Sequence, residues 1–148
     1  MILTNKEYNE FYSSDLNMNK IKAILHNKVL CKLTNSTNDY EYVIVDQFAE
    51  PYVYFNYLKN STKVVKNITF FTKGESKHLS VACASLISRY IFINEFNKLS
   101  KSLNIEIPKG AGELVDNIGK KIVETYGVDK LKEIAKLNFK NTQKIKEN

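Results

Sequence analysis

Proline and glycine are scarce, two and five in 148 residues, and 43% of the side chains are apolar. That balance excludes a disordered or low-complexity chain and points to one globular domain, or part of one, with a real core. Cysteine is nearly absent too. Cys31 and Cys83 fall inside apolar helical patterns at no metal-ligand spacing, which argues against zinc and predicts buried thiols in a reducing compartment. The start, Met1 to Lys6, lacks a signal-peptide core, and no apolar run approaches the ~20 residues that cross a bilayer, so a cytoplasmic protein with no membrane partner is expected. Internal repeats and glycine-rich linkers are missing, so residues 1–148 are expected to form a single piece. Arginine occurs once, at Arg89, in a chain that otherwise uses lysine. The net charge of +6 favours a polyanionic partner, although lysines scattered over a solvated surface give the same number.

Residues 1–15 are polar with aromatic punctuation and no clear period, and read as a loop. From Leu16 the pattern changes. Ile21, Ile24, Leu25, Val29, Leu30 and Leu33 recur at helical spacing, so one stripe should pack on a sheet, with Asn17 or Asn19 as cap. His26 lies beside that stripe and reads as a boundary residue without a role. Tyr42 to Val45 is a continuous apolar run of the kind covered on both faces of a sheet, and Asp46 ends it. Pro51 suits the first turn of a short helix. Its aromatics, Tyr52, Tyr54, Phe55 and Tyr57, could stack on bases, but anchoring the helix to its own domain is the favoured reading.

A lysine- and asparagine-containing loop, 59–66, leads to a second strand, Asn67 to Thr72, which feeds Lys73-Gly74-Glu75-Ser76-Lys77. A long helix, about Leu79 to Leu103, should be buried in its first turns. There Ala82, Ala84, Ser85 and Ser88 are small enough to let it lie close to a strand and its carboxylates. Arg89 inside that apolar pattern should have a carboxylate or phosphate partner. Pro108-Lys109-Gly110-Ala111-Gly112 precedes a helix of about Glu113 to Tyr126. It is either a phosphate contact at a helix N-terminus or a plain turn, the turn being the default. A last helix is expected over about Val128 to Leu137, and the basic tail from Asn138 to Lys146 as a solvated terminus.

Two acids stand out. Asp46 and Glu75 each follow a strand, and two parallel strands would deliver both carboxylates to one sheet edge, where α/β proteins place their ligands. Two carboxylates at one edge suggest a metal.

The order of several motifs is more specific than any one of them. Leu16-Asn17-Met18-Asn19-Lys20 and Leu25-His26-Asn27-Lys28 come first, then Val45-Asp46-Gln47-Phe48-Ala49 and Thr72-Lys73-Gly74-Glu75-Ser76-Lys77. The helix from Ser80 to Tyr90, Pro108-Lys109-Gly110-Ala111-Gly112 with Val115-Asp116, and Ala135-Lys136-Leu137-Asn138-Phe139-Lys140-Asn141-Thr142 follow. Together, over essentially the whole chain, they resemble bacterial ribonuclease HIII.

The resemblance implies a ribonuclease H-like α/β fold, here partial, with two parallel core strands and several helices. It implies endonucleolytic cleavage of the RNA strand of RNA–DNA hybrids with Mg2+ or Mn2+. Four acids hold the metal in that family, and by the match Asp46 is the third and Glu75 the fourth. Two ions about 4 Å apart need several carboxylates to hold their charge. Lys73, Lys109, Gly110 and Gly112 become candidate nucleic-acid contacts, and Ser80 and Arg89 candidate supports behind the metal ligands.

The departures are as informative. The family's Asp-Glu-Ala-Gly motif, which supplies the first two acids, is not found in residues 1–41. The first three core strands and the separate substrate-binding domain are not found either, so the chain matches the C-terminal half of the catalytic domain. Asn138 stands where the family commonly has histidine. The Asp46 strand would then show an unpaired edge, and a marginal or aggregation-prone fragment is expected. A truncated frame, a split enzyme with its N-terminal half on another chain, and a remnant that binds hybrids without cutting them all fit. A protein-interaction fragment has only the open sheet edge in its favour.

Overall fold

The computed structural model describes residues 1–12 and 16–146. In chain order the elements are α1 (Asn5–Phe11), α2 (Met18–Ser36), β1 (Val43–Asp46), α3 (Pro51–Tyr57), β2 (Ile68–Phe71), α4 (Leu79–Leu103), α5 (Glu113–Tyr126), α6 (Leu131–Ile134) and α7 (Lys140–Lys146), with single 3-10 turns at Gly74–Ser76 and Val128–Lys130. The chain divides into two compact units, Ser14–Ile91 and Met1–Ser13 with Phe92–Asn148.

In the unit of residues 14–91, Asn17 caps α2, its side-chain oxygen accepting from the Lys20 N–H at 2.9 Å. This satisfies one of the N–H groups that a helix start leaves free. β1 and β2 pair in parallel, with Val43 opposite Ile68 and Asp46 opposite Phe71. The core gathers where α2 meets α3: Ala23, Tyr54 and Leu58 are buried, with Phe55 and Phe70 packed against them. The Tyr54 ring meets Phe55 at 5.4 Å and Phe70 at 5.1 Å, both edge-on, the arrangement that ring quadrupoles favour. The α3 aromatics therefore anchor the helix, apart from Tyr52, which is exposed. Asn27 is buried on α2 because it fastens the 59–66 loop, donating to the Lys63 carbonyl at 2.8 Å and accepting from the Val65 N–H at 3.1 Å. The expected cover on both faces of β1 is not found, since Val45 alone in that strand is buried.

The other unit corrects three expectations. The loop expected over 1–15 holds a helix, α1 over Asn5–Phe11, with 13–15 outside the described residues: Thr4 and Glu7 form a reciprocal capping box that starts it, with the Thr4 N–H donating to Glu7 at 2.8 Å and two otherwise free N–H groups satisfied at once. The helix expected over 128–137 is instead a 3-10 turn followed by the single turn of α6. Its end is taken over by Asn9, whose amide donates to the carbonyls of Lys132 and Ala135 and accepts from the Leu137 N–H. The tail is not solvated but folds as α7, with Thr142 and Ile145 buried. The Ile145 side chain lies over Gly119 of α5, leaving no room there for a Cβ.

α4 departs furthest from expectation. Of its 25 residues only Leu103 is buried, whereas Leu79 is 81% exposed and Leu86 and Tyr90 each 68%. Cys83 is exposed and Cys31 half-buried, so neither is the buried thiol the pattern predicts. For α4 the physical reason is that an apolar face buries itself only against a surface that covers it: Val81 and Ala82 are half-buried, whereas residues 83–90 are all exposed. By length and composition α4 also passes for a membrane span, contrary to the expectation from apolar runs, although core helices share that pattern.

Candidate active site

Asp46 ends β1, and the parallel ladder continues one residue past it, the Gln47 N–H donating to the Phe71 carbonyl at 2.9 Å. Beyond β2 the chain turns sharply at Lys73, which is left-handed at φ 56° and ψ 45°. For a residue with a Cβ that conformation costs about 1–2 kcal/mol, and such strain persists where its surroundings over-determine it. The turn brings the Gly74 N–H onto Asp46 Oδ1 at 2.8 Å. The Ser76 hydroxyl closes it, donating to the Lys73 carbonyl at 2.9 Å, and the His78 N–H donates to the Gly74 carbonyl at 2.9 Å, leading into α4. Gly74 is buried, and a Cβ there would stand 3.4 Å from the Asp46 backbone and 3.5 Å from Val81.

The structure therefore joins Asp46 to the turn that carries Glu75, the next residue after the donor. Both acids are exposed, so each is hydrated and available to a cation. Carboxylate oxygens are the donors that hard divalent ions such as Mg2+ and Mn2+ take. The set is incomplete, because no group of three or more His, Cys, Asp and Glu side chains able to hold an ion occurs among the described residues. The pair fits a share of a metal site, not a whole one.

The other expected residues divide. Lys73 stands in the turn itself, exposed. Ser80 and Arg89 are both exposed on α4; Arg89 is not the buried charge that would demand a partner, and no salt bridge includes it among the described residues. Lys109, Gly110 and Gly112 belong to the second unit, with Lys109 Nζ 5.2 Å from the Phe96 ring centroid. Asn141 holds this loop, its amide donating to the Ala111 carbonyl at 3.0 Å and to the Asp116 carboxylate. Gly112 is the N-cap of α5, but Glu113 and Asp116 already occupy its first turn and offset the positive end of the helix dipole.

Two residues beside the end of β1 have no role in the sequence reading, His26 as a boundary residue and Lys22 as part of the lysine face of α2. Lys22 and His26, one turn apart on α2, both lie against Phe48, Lys22 Nζ at 5.7 Å and the imidazole at 5.1 Å between centroids. Crowding by neighbouring protein atoms pulls the His26 pKa below its ordinary value, Lys22 adds to that, and Asp46 opposes it. The spacing of four on a helix, and Phe48 two residues after the acid, were the available signals.

Fold and site together define a ribonuclease H-like α/β protein, present in part. The sequence profile described as Ribonuclease HII matches residues 2–142; the chain belongs to that family. It is 45% identical over 148 residues to the ribonuclease HIII of Bacillus licheniformis, covering 99% of this chain and 47% of that one. Ribonuclease HIII of Bacillus thuringiensis subsp. konkukian is 42% identical over 147 residues, covering 97% and 47%. The crystal structure of Bst-RNase HIII in complex with Mn2+ superposes with a TM-score of 0.92 at 37% identity, over 99% of this chain and 49% of that one. The chain thus spans about half the length of the relatives it matches, namely their C-terminal half.

Proposed function

We propose that residues 1–148 supply the C-terminal part of a ribonuclease H-like catalytic domain, that of a metal-dependent endonuclease cutting the RNA strand of RNA–DNA hybrids. The observation that carries this reading is the 2.8 Å bond from the Gly74 N–H to Asp46, which fixes one acid beside the turn carrying the other. The relatives named ribonuclease HIII, and the Mn2+ held by one of them, support it. Asp46 and Glu75 are two of the ligands to Mg2+ or Mn2+, and the remaining acids come from a complementary N-terminal half. A metal held there would supply the activation of water and the stabilisation of the leaving 3′-oxygen.

The chain's own residues do the positioning. Gly74 orients the Asp46 carboxylate by holding one of its oxygens. Glu75 is offered to solvent by a closed 3-10 turn. Lys73 places a positive charge beside both for a backbone phosphate, and Lys109 with the Gly110 and Gly112 main chain makes further phosphate contacts. Ser80 and Arg89 become supporting partners once the second half covers α4, which is then a core helix. A cytoplasmic location goes with this reading.

Alone, the chain is expected to leave a labelled RNA–DNA hybrid intact in Mg2+ or Mn2+, and to cut it after a separately made half carrying the other two acids is added. Asp46→Asn in the assembled pair should lower cleavage by at least a thousandfold; normal activity from that variant would sink the assignment. A second reading, a noncatalytic hybrid-binding remnant, draws on the incomplete acid set. It predicts salt-dependent binding indifferent to Asp46 and to chelation, and failure of a properly assembled pair to cut would favour it.

A further inference from the structure

We propose that Lys22 and His26 form a second phosphate contact beside the end of β1, an ammonium and an imidazole donor mounted on Phe48 that grip the nucleic-acid backbone next to the cleavage position. The proposal rests on the hybrid-nuclease reading above and extends it to residues on α2 that the metal chemistry leaves unused.

Four observations converge. Lys22 and His26 are four residues apart on α2, so both project from one face of the helix, and both are exposed. Each lies against the same ring, Lys22 Nζ 5.7 Å from the Phe48 centroid and His26 at 5.1 Å. A cation over an aromatic face is held in place without being neutralised, so the ring restrains the ammonium while leaving its charge free for an anion. Phe48 follows Asp46 by two residues, so the platform is continuous with the end of β1. Finally, no carboxylate lies within ion-pairing distance of Lys22 among the described residues. The three salt bridges of the described chain are at Lys98, Lys130 and Lys132.

The chemistry fits a phosphodiester. Metal bound at Asp46 and Glu75 would serve the phosphate being cut, and phosphates to either side along the strand would still need positive partners. An ammonium is a compact point charge with three donors, and an imidazole N–H adds a neutral donor that costs no ion pairing. A plain solvated lysine needs no ring beneath it.

The test uses the 148-residue chain and a fluorescent RNA–DNA hybrid, with binding followed by anisotropy across a salt series. Lys22→Gln with His26→Gln should weaken binding at least fivefold and reduce the salt slope by about one counterion. Lys59→Gln, an exposed lysine elsewhere in the same unit, should change little, and Lys22→Arg should retain binding. A loss for the double variant no larger than that of Lys59→Gln overturns the proposal. If the unaltered chain fails to bind hybrid even at low salt, this site is overturned, while cleavage by the assembled pair still decides the nuclease reading.

A second readout avoids substitution at the site. The chain has two histidines, so their ring proton resonances are resolvable, and His26→Gln assigns them. Saturable movement of the His26 resonance on adding hybrid supports the contact, and an unmoved resonance in a chain that binds hybrid overturns it.

Discussion

α4 and α5 are the instructive pair. α5, with 14 residues, is sharply two-faced: Gly119 and Ile122 are buried, and α7 meets it where Ile145 lies over Gly119. α4, with 25 residues, is the more apolar helix by composition and buries one side chain. Composition states how much a helix gains from being covered; only a partner surface delivers the gain. α5 has its partner 20-odd residues further along the chain. α4 has a face prepared for one.

The comparison would break most visibly at that face. Leu86→Glu with Ile87→Lys should abolish assembly with the complementary N-terminal half, read as loss of co-elution and of hybrid cleavage. Persistence of both would mean that the face is not the joining surface. Next, Ile122→Ala on α5 should destabilise the chain by about 2–5 kcal/mol, the range for truncating a buried aliphatic residue, measured by urea unfolding. A smaller effect comes from Gly119→Ala, which should cost about 1 kcal/mol because the new methyl meets the tip of Ile145. Adding Ile145→Val removes that tip, and the helix propensity of alanine should then make the change neutral or mildly stabilising; equal losses in both backgrounds would show that the contact is not the cause. The smallest effect sharpens the contrast: in the chain alone the α4 pair should shift stability by under about 0.5 kcal/mol, as exposed substitutions do.

What could be read from residues alone followed from how local each cause is. Both strands, the Asn17 cap, Pro51 at the start of α3 and the acids at Asp46 and Glu75 are set by runs and turn residues within a few positions. α1 was equally local, but its signature is one Thr4–Glu7 pair without an apolar run behind it. α7 was missed for the opposite reason, since its order depends on Gly119, well back in the chain. The exposure of Arg89 and Cys83 could not be read from α4 itself, because burial is a relation between segments. At the candidate site the placement of Asp46 and Glu75 after their strands was legible, whereas the Lys22–Phe48–His26 cluster exists only once α2 has packed against Phe48.

The bond between Gly74 and Asp46 links residues 28 apart, and it forms only when the crossover through α3 has closed and β2 has docked. Until then the carboxylate rotates freely, and the entropy of closing that loop stands between the chain and its chemistry. The site is therefore conditional on the fold: Asp46 is aimed only once β1 and β2 have paired, so a half-folded chain carries both acids and none of the aim.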